Sequence, residues 1–307
     1  MAIGSVLFSA GRGKRMRPLS DEIPKPALPV LDVPLGAFGL KRLLIAAPPV
    51  VVNVSHLPDA IESALNPFGE FGLLREPVGG LGTGGTLKAL EDELAPSFIT
   101  FNADALVDLD VEMLAEHHRQ SGATATVSVV TVAKGADFVG AAGATSFVDR
   151  RIDPESPGLR FVGAAALSRD VLKLIPDEPP VGLGETVFPL LVDRGELALH
   201  QHDGYALDVG TPASYLRANL DLLHNPLGSL AEPPGEIIEV DGARAYIGLD
   251  ARVDEPSLKD GAVILHGAKV ALGASIENAI VMPGEEVEAN ERLDNVIAWA
   301  GGRLKVA

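Results

Sequence analysis

The chain has 307 residues, 47% of them hydrophobic, enough for one large core or for two domains. A net charge of −17 argues against a nucleic-acid or anionic-membrane surface, and one Trp with three Tyr leaves little for stacking bases on aromatic rings. The lack of cysteine excludes disulfides, thiolate zinc sites and a cysteine nucleophile and fits a reducing cytoplasm; no apolar run is long enough to span a bilayer, and the N-terminal run lacks the charged region and cleavage site of a secretory signal.

Ile3–Phe8 reads as a buried strand that runs into Ala10-Gly11-Arg12-Gly13-Lys14-Arg15-Met16-Arg17, a glycine-rich turn holding four cations within six residues. Gly11 and Gly13 let the backbone turn sharply and aim N–H groups at an anion. Arg12, Lys14, Arg15 and Arg17 can donate charge-assisted hydrogen bonds to phosphate oxygens. A dinucleotide fingerprint needs glycine where Met16 stands, and a P-loop needs glycine at Phe8 and Ser or Thr at Arg15. Both patterns fail, leaving a different phosphate cradle or a solvated basic turn. Lys25 follows, between Pro24 and Pro26, each of which restricts the backbone around it. A lysine presented from so stiff a segment suits a cation that must meet a reacting phosphate.

Helices are then expected at Leu35–Ala46, Pro58–Leu65, Gly84–Leu94 and Val111–Gln120, with strands at Val50–Val54, Phe98–Asn102 and Ala125–Val132. Phe161–Leu167, Glu196–Gln201 and Tyr205–Val209 read as added strands before a helix over Pro212–Leu223. Near-continuously apolar strands alternating with helices predict a mostly parallel sheet with helices on both faces. Ligands on such sheets collect at the carboxyl ends of the strands, where Ala10–Arg15 and Asn102–Asp104 fall. His200 and His202 alternate on a strand without a third ligand and read as surface residues; His117 and His118 end a helix, where cations suit the dipole.

Pro and Gly clusters at Asn225–Gly228 and Glu232–Gly235 place a linker over 225–238, between a first domain (1–224) and a tail (239–307). In the tail Leu258, Ile264, Val270 and Ile276 are six apart, as are Gly261, Gly267 and Gly273; Val281, Val287 and Leu293 continue after a shift of one residue. One buried aliphatic per six residues predicts a parallel β-helix.

Gly11-x-Gly13-x-Arg15-Met16-x-Pro18-Leu19, Pro24-Lys25-Pro26 and Pro29-Val30 together resemble the sugar-1-phosphate nucleotidyltransferases, which join a nucleoside triphosphate to a sugar 1-phosphate and release pyrophosphate. The resemblance continues in order through Val52-Asn53-Val54, Leu81-Gly82-Thr83-Gly84-Gly85, Asn102-Ala103-Asp104 and Asp208-Val209-Gly210-Thr211-Pro212, with Tyr215 and Ala218-Asn219, and so covers residues 1–223. It implies an α/β, Rossmann-like fold, a mixed but mostly parallel sheet with helices on both faces, plus a small C-terminal left-handed parallel β-helix. It also implies a cytoplasmic enzyme that forms a homo-oligomer through that tail and has no nucleic-acid or membrane partner.

Carried over residue by residue, the resemblance makes Arg15 and Lys25 catalytic and assigns Ala10, Gly11, Arg12, Gly13, Gly82 and Thr83 to the nucleotide. Asn102, Gly163 and Glu185 go to the sugar phosphate, and Asp104 and Asp208 would share Mg²⁺, which accepts one or two carboxylates plus substrate phosphates. Two departures stand out. Phe147-Val148-Asp149-Arg150-Arg151 stands where members often carry Phe-x-Glu-Lys-Pro, so Arg150 or Arg151 would replace the sugar-phosphate lysine. Arg75-Glu76-Pro77 stands where uridylyl- and thymidylyl-transferring members often place Gln. A carboxylate at Glu76 can accept from guanine's N1–H and amine, which leans the reading to GTP; the alternative is a solvent-facing Glu76 with backbone groups reading the base. Asn53-Val54-Ser55-His56 is similar to bacterial mannose-1-phosphate and N-acetylmuramate-1-phosphate members. A uridylyltransferase and a catalytically silent regulatory homologue are the alternatives, the latter opposed by intact Arg15, Lys25, Asp104 and Asp208. An acyl-transferring tail has too few coils and a single histidine, His266, to support it.

Overall fold

The computed structural model describes residues 2–141, 144–150, 152–225, 232–240, 242–253 and 258–306. The chain forms two compact units, 1–12 with 23–27 and 36–208, and 13–22 with 28–35 and 209–307. This division differs from a boundary at 225. The helix over Pro212–His224 and two short N-terminal segments belong with the tail, and most of the expected linker lies outside the described residues.

The first unit is built on a nine-stranded sheet. Its strands are β1 (Ile3–Phe8), β2 (Val50–Val54), β3 (Gly72–Arg75), β4 (Leu94–Asn102), β6 (Ala125–Val132), β7 (Phe138–Ala141), β8 (Ala144–Phe147), β9 (Gly158–Ser168) and β10 (Leu197–Gln201). A separate two-stranded ribbon pairs β5 (Ala105–Val107) with β11 (Ala206–Asp208). β4, β1, β2 and β3 lie side by side and parallel. β9 returns antiparallel beside β4 and also pairs antiparallel with β6 and β7. The sheet is therefore mixed rather than mostly parallel: a parallel half carries the strand ends of β1, β2 and β4, and β9 runs antiparallel to its neighbours in the other half, where β10 lies parallel to β6. Val6, Leu7, Val52, Val54 and Phe101 are fully buried, as strands covered on both faces require.

The helices of this unit are α1 (Leu35–Ala46), α2 (Pro58–Leu65), α3 (Gly82–Ala89), α4 (Val111–Ser121) and α5 (Phe188–Arg194). Asp110 caps α4 by accepting from Met113 N at 3.0 Å, and Gly122 ends it at φ 65°. α3 begins two residues earlier than expected and stops at Ala89, because Leu94 is taken into β4 opposite Ile3.

In the second unit, α6 (Pro212–His224) starts with a capping box in which Thr211 and Ser214 satisfy each other's backbone N–H. The tail consists of short strands in three sheets that pair in parallel, except for an antiparallel strand at each edge of the largest, Glu236–Val240 and Gly302–Lys305. Val263 pairs with Ile280 and Ile280 with Ile297, a step of 17 residues; Lys269 pairs with Glu286 and Ser275 with Arg292 at the same step. Left-handed corner residues keep that step as well: Asp250, Gly267 and Gly284; Gly261, Asn278 and Asn295; Gly273 and Asn290. The shift of one residue read from the sequence thus recurs with each 17-residue step, which is one residue short of three sixes. Asn and Asp fill corners that glycine does not, being the residues that tolerate left-handed φ best. Ile264, Val270, Ile276, Val281, Val287 and Leu293 form the buried column of this tail.

Candidate active site

β1 ends opposite Asn53 on one side and Asn102 on the other, so three chain segments reach one carboxyl edge together. Ala103 N donates to Phe8 O at 3.0 Å, and Ser9 N donates to Asn53 Oδ1 at 2.6 Å. Ala10 O accepts from Ser55 Oγ at 2.9 Å. The glycine-rich turn therefore leaves the sheet from a point fixed on both sides. Gly11 has open space around the position of a Cβ and lacks a left-handed φ, so the fold itself does not demand glycine there. Arg12 is exposed.

Lys25 lies in a single 3-10 turn (Lys25–Ala27) closed by Ala27 N donating to Pro24 O at 2.8 Å. Its side chain is 10% exposed and its ammonium makes a short ion pair with Asp104 Oδ2. Asp104 follows β4, and the ribbon sets Asp208 across from Ala105, the residue after Asp104. The two acids read as metal ligands thus come from adjacent backbone positions on separate chain segments. β9 bulges beside them: its register with β6 shifts between Phe161 and Ala165, and Gly163 sits at φ 91°. A Cβ on Gly163 would lie 2.8 Å from Ala105 Cβ and 3.2 Å from Asn102 Cβ, so glycine is required for this close approach.

Residues 13–22 belong to the second unit. Gly13 takes φ 59°, Met16 N donates to its carbonyl at 2.8 Å, and Ser20 Oγ does so at 2.8 Å. Arg15 is exposed in the turn that follows, and Arg17 pairs with Asp21 at 2.9 Å.

Residues 4–141 match the nucleotidyl transferase family. Those residues belong to that family. It is similar to a mannose-1-phosphate guanylyltransferase of Mycobacterium tuberculosis, 28% identical over 94% of this chain and 82% of the relative. It is also similar to a UTP–glucose-1-phosphate uridylyltransferase of Synechocystis, 27% identical over 94% of this chain and 85% of the relative. In fold it resembles a putative glucose-1-phosphate thymidylyltransferase of Bacillus anthracis, with a TM-score of 0.62 and 19% identity over 75% of this chain and 98% of the other.

Within this nucleotidyltransferase, Glu76 and the Gly82-Thr83 loop make contacts inside the fold that the sequence reading does not include. Glu76 is 8% exposed; its Oε1 accepts from Asn53 Nδ2 at 2.8 Å and from the Thr86 hydroxyl at 2.5 Å, and its Oε2 accepts from Leu81 N at 2.8 Å. A buried carboxylate needs such donors, and these tie the end of β2 to the start of α3. Glu76 is therefore not solvent-facing, and both of its carboxylate oxygens are engaged within the fold. Gly82, at φ 75°, passes so close to Val181 that a Cβ would lie 2.4 Å from its carbonyl oxygen. Gly84 N donates to Val181 O at 2.8 Å, and the Thr83 hydroxyl accepts from Leu183 N at 2.9 Å. The start of α3 is thus docked on residues 181–183.

Arg150 and Glu185 line one cleft of about 170 Å³, together with Asp137, Phe147, Phe161 and Phe188. Arg150 Nε lies 2.6 Å from Asp137 Oδ1, and Phe161 N donates to Asp137 Oδ2 at 2.9 Å. Burial nevertheless pushes the Asp137 carboxyl up, with Arg150 and the Phe161 amide opposing it. Phe161 lies on β9 two residues before Gly163, so one strand serves both the cleft and the neighbourhood of Asn102. Arg151 lies outside the described residues.

The histidines are not bystanders. His200 Nδ1 meets His117 Nδ1 at 3.1 Å, His202 Nε2 meets Asp108 Oδ1 at 2.8 Å, and buried His118 contacts Thr126 and Ser168 through its two ring nitrogens. Sequence reasoning gave no role to Asn53, Thr86 or Asp137. An asparagine inside the apolar run Val50–Val54 was the available signal, since a buried amide must find partners.

Proposed function

We propose that the chain transfers a nucleotidyl group from a nucleoside triphosphate to a sugar 1-phosphate, giving a nucleotide-sugar and pyrophosphate. The observation that carries this reading is Lys25, nearly buried and paired with Asp104 at the strand edge where the glycine-rich turn begins, with Asp208 in register with the next residue, Ala105. The amides of Gly11–Gly13 and Arg15 grip the β- and γ-phosphates. Lys25 neutralises the α-phosphate and the incoming sugar phosphate. An oxygen of that phosphate attacks the α-phosphorus in line as the bond to the bridging oxygen breaks and pyrophosphate leaves. The attacking monoester is already anionic, so the protein supplies position and charge rather than a base.

Asp104 and Asp208 fit Mg²⁺: both are carboxylates, Asp208 is exposed and the Asp104 side chain is 30% exposed. Among the described residues no three or more His, Asp or Glu side chains group to enclose a metal, so substrate phosphates would complete the set. Bound there, the ion would neutralise charge developing on the phosphates. Asn102, Gly163, Arg150 and Glu185 would receive the sugar phosphate. For the base we favour GTP, with mannose 1-phosphate. This preference rests on the names of most relatives rather than on Glu76, whose oxygens are engaged. The Synechocystis relative supports UTP as the second pairing to test. We further infer that the tail, with its three corners per 17-residue step, is a left-handed parallel β-helix.

The test is pyrophosphate release from ATP, GTP, CTP, UTP and dTTP, each with a panel of sugar 1-phosphates. Release with one preferred pair is expected. Silence with every pair, alongside binding of a nucleotide-sugar, replaces this reading with the regulatory homologue.

A further inference from the structure

Pro29–Val30 and Val33–Pro34 form a small hairpin whose two-residue loop holds Leu31 at φ 47° and Asp32 at φ 64°. Both central residues of such a turn take positive φ, which normally selects Asn or Gly. A leucine there is disfavoured and persists only where its surroundings over-determine it. They do so here, all within the second unit. Leu31 N donates to Asn219 Oδ1 at 3.0 Å, and Tyr215 OH donates to Pro29 O at 2.5 Å, both from α6. The Asp32 carboxylate, 2% exposed, is held by the tail: Tyr246 OH donates at 3.0 Å, His266 N at 3.0 Å and His266 Nδ1 at 2.9 Å. A second tail contact falls on the other flank of Lys25, where Trp299 Nε1 donates to Glu22 Oε1 at 3.4 Å.

We propose that Asp32, clamped by Tyr246 and His266, is a positioning residue through which the tail fixes the phosphate-binding chain. Lys25 follows Glu22 by three residues and precedes Asp32 by seven, so both flanks of its turn are anchored to the tail. Arg15 belongs to the same compact unit as those anchors. The tail is then part of the machinery for turnover and not an independent appendage. The inference rests on reading Arg15 and Lys25 as phosphate ligands.

The experiment uses full-length Asp32→Ala, Asp32→Asn and Tyr246→Phe, with kcat, KM, thermal melting and amide hydrogen exchange over residues 13–35. Asp32→Ala should melt cooperatively, exchange faster over 13–22 and 28–35, and lose roughly tenfold to a hundredfold in kcat, the scale of a small misplacement of a catalytic group. Asp32→Asn keeps an acceptor for His266 and should recover most of that loss, and Tyr246→Phe should shift both readouts less. A folded Asp32→Ala with wild-type exchange overturns the proposal whatever its turnover, and so does faster exchange with wild-type kcat. If Asp32→Ala does not fold, Tyr246→Phe is judged by the same criteria. If the wild type releases no pyrophosphate with any pair, the proposed reaction fails and exchange alone decides the clamp.

Discussion

Under the carboxyl ends of β1 and β2 the buried groups that matter are polar. Asn53, Glu76 and Thr86 bond to one another, to Ser9 N and to Leu81 N. In the tail every member of the buried cluster is Ala, Val, Ile or Leu, while charges pair outside, as Lys269 does with Glu286 and Arg303 with Glu285 and Glu291. Hydrogen bonds are directional, so the first arrangement fixes where a loop leaves the sheet, and losing one partner orphans another. Apolar packing is non-directional and responds to volume, so the tail repeats one arrangement and needs special residues only at its corners.

Substitutions can break or sharpen that contrast. Lys25→Met should leave the fold intact and lower pyrophosphate release by at least about 10²–10³-fold, as loss of one charge-stabilising donor does; near-normal release would remove Lys25 from the chemistry. Ile276→Ala, in the buried column of the tail, should cost about 2–5 kcal/mol in denaturant unfolding, and a cost below that range would mean the column is not close-packed. Glu76→Gln should cost about 1–3 kcal/mol, because its single amide oxygen leaves either the Leu81 N–H or the Asn53 and Thr86 donors without their acceptor, with the order of preference among nucleoside triphosphates unchanged. A switch of base preference in that variant would restore Glu76 as a base reader.

The smallest effect is the response to pH. Burial, and then His117, hold His118 below its ordinary 6.5, and the same two causes with His202 lower His200. These rings take up protons less readily in the fold than in the unfolded chain, so stability should fall as pH drops below about 6.5. Urea unfolding at about pH 8 and about pH 5.5 should show this, with a shallower dependence in His118→Gln. An unchanged slope in that variant would mean His118 titrates freely.

Much of the architecture was legible in the chain itself. Apolar runs marked β1, β2 and β6 to the residue, and the helices over Leu35–Ala46 and Pro58–Leu65 fell where their patterning put them. The six-residue spacing located the tail strands, and the stiff Pro24-Lys25-Pro26 segment carries a lysine that is held against Asp104. These are local properties, set by periodicity and by residues that restrict φ. What the sequence left open depends on partners far along the chain. That Glu76 meets a buried amide turns on Asn53 and Thr86; that Thr83 meets a backbone N–H turns on Leu183. A carboxylate or hydroxyl has the same chemistry in either setting, and only the tertiary structure decides which donor reaches it first. The antiparallel return of β9 and the attachment of residues 13–22 and 28–35 to the tail are of the same kind. Each is a pairing across long stretches of chain, and nothing in the local pattern of either partner specifies the other.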